Sequence, residues 1–135
     1  ANTTIDCGAI EATVIGNGVI IDNQVQIAHN VQIGECTAIA GCVGIAGSTR
    51  IGRRCQIGGA CNIVGHIDLS DGVVLNAASL VTRSIDKQGR YGSGTPLMAE
   101  HAWRRSFVNL GSLDALFKRV RRLERRLHSD KSRRE

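Results

Sequence analysis

A chain of 135 residues suffices for one domain and a small appendage, and with aromatics at only 3% an ordinary aromatic-rich core is excluded. No run of about eighteen apolar residues occurs, which excludes a hydrophobic membrane-spanning helix, and no secretory signal is visible. The net charge of +5 is divided unevenly. Residues 1–81 set Arg50, Arg53 and Arg54 against six acids, a net of −3, while residues 82–135 set fourteen Lys and Arg against six acids, a net of +8. A basic C-terminal portion suggests either an anionic partner or a solvated surface, and nothing in the sequence reads as a nucleic-acid-binding motif.

The first element in chain order is a repeat. Aliphatic residues recur every sixth position at Ile15, Ile21, Ile27, Ile33, Ile39, Ile45, Ile51, Ile57, Ile63, Leu69, Leu75 and Val81. Neither a helix nor a strand alternation produces that period, and a hexapeptide solenoid does. Four places after each aliphatic comes a second ladder: Val19, Val25, Val31, Thr37, Val43, Thr49, Cys55, Cys61, Ile67, Val73, Ser79 and Ile85. These are mostly small or β-branched, as a narrow interior requires. Small residues such as Gly16, Ala28, Gly34, Ala40 and Gly52 follow the aliphatics, where the chain turns. Stacked aliphatic ladders replace an aromatic core, since each coil covers the next. Thr3 and Ala9 extend the phase upstream, so the repeat is expected over residues 1–86. The chain lacks an initial Met and begins inside a repeat, which reads as the C-terminal part of a longer protein or a truncation.

The same phase governs the cysteines. Cys7, Cys55 and Cys61 fall on the inward small position, Cys36 and Cys42 one place earlier, and no CxxC occurs. Buried free thiols in a reducing compartment are the plain reading, with zinc binding the weaker alternative.

Residues 87–97, with three glycines and the only proline, read as a loop. Residues 98–135 turn helical. A short first helix carries Trp103 and Phe107, Gly111 interrupts it, and Ser112 can cap the next. Leu113, Leu116, Val120, Leu123 and Leu127 then follow 3-4-3-4 spacing, a two-heptad coiled-coil seam with arginines outside. So short a seam is marginal alone. It either packs on its own solenoid or pairs with the same stripe of other copies, and self-association is the favoured expectation.

Three hexads per coil would make eighteen residues per revolution, a triangular prism with successive coils roughly 4.8 Å apart. His29, Gly47 and Gly65 then share one column, with His66 the next residue. The two histidines come two coils apart on one edge, roughly 10 Å, and the wall between them carries no side chain. Solvated turn residues are one reading. The other is a slot for acyl transfer: a neutral imidazole can take a proton from an attacking amine or hydroxyl, and an uncovered glycine N–H can stabilise the oxyanion.

Several stretches add a resemblance. Ile-Gly-Asn-Gly-Val-Ile-Ile-Asp-Asn-Gln-Val-Gln-Ile-Ala-His-Asn (15–30), Ala-Asn-Thr-Thr-Ile-Asp (1–6), Ile-Gly-Gly-Ala (57–60), Gly-His-Ile (65–67), Gly-Thr-Pro-Leu (94–97) and Trp-Arg-Arg (103–105) resemble the UDP-3-O-acylglucosamine N-acyltransferases of lipid A synthesis. The resemblance implies a left-handed parallel β-helix of hexapeptide repeats with a short α-helical extension, forming a cytoplasmic homotrimer with active sites between neighbouring prisms. It implies transfer of a 3-hydroxyacyl chain from acyl carrier protein to the 2-amine of the UDP-sugar. No cofactor or metal is implied, the carrier's acyl-phosphopantetheine being a substrate. His29 matches the general base, Asp22 the carboxylate that orients it, Gly47 the oxyanion donor and His66 the second, substrate-holding histidine. Asn23, Gln26 and Asn30 would line the groove, Leu80 and Thr82 the end of the acyl-chain groove, and Arg83, Arg104 and Arg105 would meet the carrier protein.

The resemblance covers the family's C-terminal portion, without the N-terminal uridine-binding domain, and Cys7 stands where an arginine is usual. Other readings are a sister hexapeptide O-acyl- or acetyltransferase, a zinc enzyme of the hexapeptide carbonic anhydrase type, and a non-catalytic trimeric scaffold. The zinc enzyme needs three histidines around one metal, whereas His101 and His128 lie outside the repeat and no second histidine follows His29 within five residues.

Overall fold

The structure is a computed structural model that describes residues 1–8 and 11–132, leaving out the side chains of Leu127 and residues 129–132. Within it the chain forms two units, Ala1–Thr95 and Pro96–Glu135.

The first unit is a parallel β-solenoid whose flat sides are very short strands. In chain order they are β1 (Thr4–Ile5), β2 (Val14–Ile15), β3 (Ile20–Ile21), β4 (Gln26–Ile27), β5 (Gln32–Ile33), β6 (Ala38–Ile39), β7 (Gly44–Ile45), β8 (Arg50–Ile51), β9 (Gln56–Ile57), β10 (Asn62–Ile63), β11 (Asp68–Leu69), β12 (Val73–Leu75), β13 (Leu80–Val81) and β14 (Gly89–Tyr91). Every third strand pairs, giving three parallel sheets: β1-β4-β7-β10-β13, β2-β5-β8-β11, and β3-β6-β9-β12-β14. The expected eighteen-residue coil is the register observed: Ile27 pairs with Ile45 and Ile45 with Ile63, Ile15 with Ile33 and Ile33 with Ile51.

Along each side the alternation of period two sends every second side chain inward. Both expected ladders are buried from Val25 to Val81, with Ile27, Val31, Cys55, Cys61 and Val73 fully inaccessible. Each buried aliphatic side chain contributes about 1.5–3 kcal/mol by leaving water. The polar members find partners: Thr37 Oγ1 donates to the Gly52 carbonyl (2.9 Å), Thr49 Oγ1 to Val64 (3.0 Å) and Ser79 Oγ to Asn76 (2.7 Å). Burial pushes the Cys55 thiol above its usual range.

Both ends of the solenoid depart from the sequence reading. Ile5 pairs with Ile27, twenty-two residues on, so the first coil holds four residues more than the rest. Thr3 therefore sits level with Val25, not in the aliphatic column. Cys7 lies level with His29 and is exposed, not inward. Ala9 lies outside the described residues. Cys36 and Cys42 are exposed corner residues, so only Cys55 and Cys61 are the buried thiols expected. At the other end Ile85 bridges Leu69, sixteen residues back, taking an aliphatic position instead of a small one. Strand β14 then pairs with β12 inside the stretch expected to be loop, and Tyr91 stands level with Leu75. Two residues are missing from this last revolution, and the strict count of six cannot register that loss.

The second unit holds two helices, α1 (Glu100–Gly111) and α2 (Leu113–Ser132), which break at the expected Gly111–Ser112 step. Glu100–Arg104 and Asp114–Lys118 are i,i+4 ion pairs at 2.7 Å, acid before base, the favourable order. The Trp103 and Phe107 rings stack with centroids 4.5 Å apart. The seam residues Leu113, Leu116, Val120 and Leu123 are all exposed in the single chain, and the Leu127 side chain lies outside the described ones. No helix is long and apolar enough to cross a membrane among the described residues.

Candidate active site

The site grows out of the corners between sides. At nearly every corner one residue takes a left-handed conformation, and these positions recur every six residues: Gly18, Gln24, Asn30, Cys36, Cys42, Ser48, Arg54, Ala60, His66, Gly72 and Ala78. Each projects its neighbours outward, so whatever precedes it becomes a ridge residue. His29 precedes Asn30, Gly47 precedes Ser48 and Gly65 precedes His66. The sheet register puts these on one ridge, and two backbone bonds tie its levels together: Ser48 N–H to the His29 carbonyl (3.0 Å) and His66 N–H to the Gly47 carbonyl (3.1 Å). The single-ridge geometry expected from the eighteen-residue spacing is thus present.

The His29 imidazole lies across Gly47. A methyl built on Gly47 would stand 2.7 Å from Cε1 and 2.8 Å from Nε2 of that ring. The ring itself is exposed, and its Nδ1 sits 2.6 Å from Asn30 Oδ1. Gly65 is bare for another reason: a methyl there would meet the Gly47 carbonyl oxygen at 2.7 Å, so the ridge closes up only if that position has no side chain. The N–H groups of Ala46 and Ser48 bond to Ile63 and His29, and the Gly47 amide lies between them.

Beside this ridge runs the outer face of the first sheet. A shallow trough of about 380 Å³ is lined by Gln26, Ala28, Gly44, Ala46, Asn62, Val64 and Leu80. Ala28, Gly44 and Ala46 keep it open, and Leu80 is among its lining residues, whereas Thr82 lies outside it and lines a different hollow. Gln26 is held in place by Asp6, whose Oδ2 accepts from Nε2 at 3.1 Å. Arg83 lines a separate hollow of about 540 Å³ at the C-terminal end of the solenoid, with Ser84, Lys87 and Tyr91. Arg104 and Arg105 belong to α1 in the second unit, Arg104 being paired with Glu100.

Asp22 and Asn23 are not at this corner. They follow β3, one whole side of the prism before His29, and Asp22 Oδ1 accepts the Asn23 N–H at 2.8 Å. An Asp22–His29 pair would have to form between neighbouring copies. Within one chain the imidazole's partner is Asn30, for which only substrate contact was expected. The sequence reading also missed Asp6, Glu11 and Thr13, which grip Asn30 and Gln26 from the longer first coil. The sequence marks only the shifted register of that coil, in the match of Val25-Gln26-Ile27 to Thr3-Thr4-Ile5, and not the contacts themselves. Among the described residues no three His, Cys, Asp or Glu side chains group closely enough to hold a metal ion.

Comparison with known proteins agrees with this architecture. The family described as bacterial transferase hexapeptide (six repeats) matches residues 12–47. UDP-3-O-acylglucosamine N-acyltransferase of Aromatoleum aromaticum is 60% identical over 126 residues, covering 93% of this chain and 38% of that protein. The enzymes of that name from Alcanivorax borkumensis and Coxiella burnetii are 58% and 50% identical, each over 93% of this chain and 37% and 36% of their own length. The chain thus spans little more than a third of the curated relatives it matches. It is a hexapeptide-repeat solenoid with a helical extension, similar over nearly all of its length to that third of the UDP-3-O-acylglucosamine N-acyltransferases.

Proposed function

We propose that this chain carries the catalytic ridge of an N-acyltransferase acting in the cytoplasm in lipid A synthesis. A 3-hydroxyacyl chain, held as a thioester on acyl carrier protein, passes to the 2-amine of UDP-3-O-acylglucosamine. The observation that carries the reading is the His29 imidazole lying over a bare Gly47 beside a trough, in a chain half or more identical to enzymes of that name.

In this reading the amine attacks the thioester carbonyl carbon while His29 Nε2 takes the amine's proton. Negative charge develops on the carbonyl oxygen, and the Gly47 N–H stabilises it. The intermediate collapses, the carbon–sulfur bond breaks, and the imidazolium returns its proton to the leaving thiolate. The acyl chain lies along Ala28, Gly44 and Ala46 toward Leu80 and Thr82. His66, Gln26 and Asn23 contact the sugar nucleotide, and Asp22 serves a neighbouring copy of the trimer. Arg83, Arg104 and Arg105 meet the acidic carrier protein.

The test is His29→Ala in a protein of the relatives' full span that contains this chain. Turnover with an amine acceptor should fall by a factor on the order of 10²–10⁴, the usual contribution of a general base. Wild-type turnover would reject the reading, and transfer to a hydroxyl acceptor instead would point to the sister O-acyl chemistry.

A further inference from the structure

We infer that Asn30, gripped by the longer first coil, sets the tautomer of His29: it places the ring proton on Nδ1 and leaves Nε2 as the unprotonated nitrogen over Gly47. The catalytic consequence rests on the acyl-transfer reading above, whereas the tautomer is a property of the folded chain alone.

The argument is a forced sequence of donors and acceptors. Asn30 Nδ2 lies 2.8 Å from the Glu11 backbone carbonyl, which can only accept. The amide nitrogen must therefore face Glu11, and the amide oxygen must face the ring. That oxygen is 2.6 Å from His29 Nδ1. An amide oxygen has no proton to give, so Nδ1 must supply one. A neutral imidazole with its proton on Nδ1 has a lone pair on Nε2, the atom 2.8 Å from where a Gly47 methyl would be.

The Asn30 backbone is fixed from the same loop. Its N–H donates to Thr13 Oγ1 (3.0 Å), and the Thr13 hydroxyl donates to the Asp6 carbonyl (2.6 Å). Asn30 holds φ at +61°, a conformation asparagine tolerates better than most residues. Asp6, Glu11 and Thr13, which hold this arrangement, thus belong to the coil that is four residues longer than the rest. Asp22, which the family resemblance puts in the orienting role, bonds instead to Asn23 one side away. Asn30 is accordingly a positioning residue, acting through His29.

The experiment is nitrogen-15 NMR of the imidazoles in this chain at about pH 8, where an unperturbed histidine is neutral, with His29 assigned by its loss in His29→Gln. Wild type should show Nδ1 protonated and Nε2 bare. Asn30→Gly keeps the left-handed backbone without strain and removes the acceptor, so the signals should shift toward a mixture of tautomers. Asn30→Asp restores an acceptor and should restore the Nδ1–H form. In the longer protein, Asn30→Gly should lower kcat by about ten- to a hundredfold, by analogy with loss of the partner that orients a metal-bound histidine, with KM nearly unchanged. Asn30→Asp should recover part of that loss. A wild-type ring protonated on Nε2 overturns the inference. So does a pure Nδ1–H form in Asn30→Gly, which would assign the role to a carboxylate of another copy. Full activity of His29→Ala would defeat the acyl-transfer reading and leave the tautomer result standing; a wrong tautomer with inactive His29→Ala would defeat only this inference.

Discussion

At Gly47 and Gly65 the same missing methyl has two physical meanings. A methyl on Gly47 would collide with an exposed imidazole at 2.7–3.1 Å, and a side chain can swing aside. A methyl on Gly65 would collide with the Gly47 carbonyl oxygen at 2.7 Å, and the backbone cannot yield without breaking the ladder. Gly47→Ala should therefore leave the thermal midpoint close to wild type while displacing His29 and cutting acyl transfer. Gly65→Ala should cost about 1–3 kcal/mol of stability, the range for overpacking, measured by urea unfolding. Equal stability losses in the two variants would remove the distinction. The positions of His29, Gly47 and His66 were legible in the sequence because the eighteen-residue coil depends only on counting. The Asn30–His29 bond was not, because it depends on a loop whose length breaks the count.

At the scale of the element, the corners explain how so many unfavourable backbone conformations persist. An L-residue in the left-handed region costs roughly 1–2 kcal/mol, yet Cys36, Cys42, Arg54, Ala60 and Ala78 all adopt it. Each is held by the same bond, its N–H donating to a carbonyl of the previous coil: Cys36 to Asn17, Cys42 to Asn23, Arg54 to Glu35, Ala60 to Gly41 and Ala78 to Gly59. The period of six was readable from the aliphatics, and the corner conformation follows from it at residues that no propensity would select. The same regularity hid the twenty-two-residue first coil and the shortened last one, where Ile85 and Tyr91 look like misplaced core residues until pairing is known. One corner adds a charge. Asp71 Oδ1 accepts the Arg53 N–H at 2.7 Å and Oδ2 pairs with its guanidinium at 3.2 Å. That backbone bond, then the Arg53 charge, holds the carboxyl below its ordinary value of 3.8, despite some desolvation. A depressed folded-state pKa stabilises the folded form above the ordinary value and ceases to do so as pH falls through the lowered one. Asp71→Asn should lower the urea midpoint at neutral pH, and its gap from wild type should close as pH drops below 3.8. A gap that persists unchanged in acid would show that the carboxylate's charge is not the cause.

At the scale of the whole molecule, the helical unit carries exposed apolar side chains. Leu113, Leu116, Val120 and Leu123 form one stripe, with Leu116 54% exposed, and α1 adds Trp103, Phe107 and Leu110, all uncovered in the single chain. Exposed apolar stripes of this kind serve as association surfaces. The sequence supplied the seam but not its cover, because a stripe says which side is buried and not by whom. Its flanks bear on the geometry of the cover. With Leu113 and Leu116 as the inward heptad positions, Arg119 and Glu124 occupy the two flanking positions five residues apart. That spacing lets Arg119 of one helix face Glu124 of a parallel, in-register neighbour, as in coiled coils. An antiparallel or shifted pairing would lose the match. Leu116→Asp puts a carboxylate into the stripe and should lower the mass measured by light scattering if copies of the chain cover it, most at low protein concentration. Glu124→Arg should weaken the assembly less, since exposed pairs are worth about 0.2–1 kcal/mol each, and adding Arg119→Glu should recover it. Recovery by the double exchange requires the two side chains to meet across copies, so it would fix the helices as parallel. An unchanged mass for Leu116→Asp would mean that the stripe is covered by something other than its own kind.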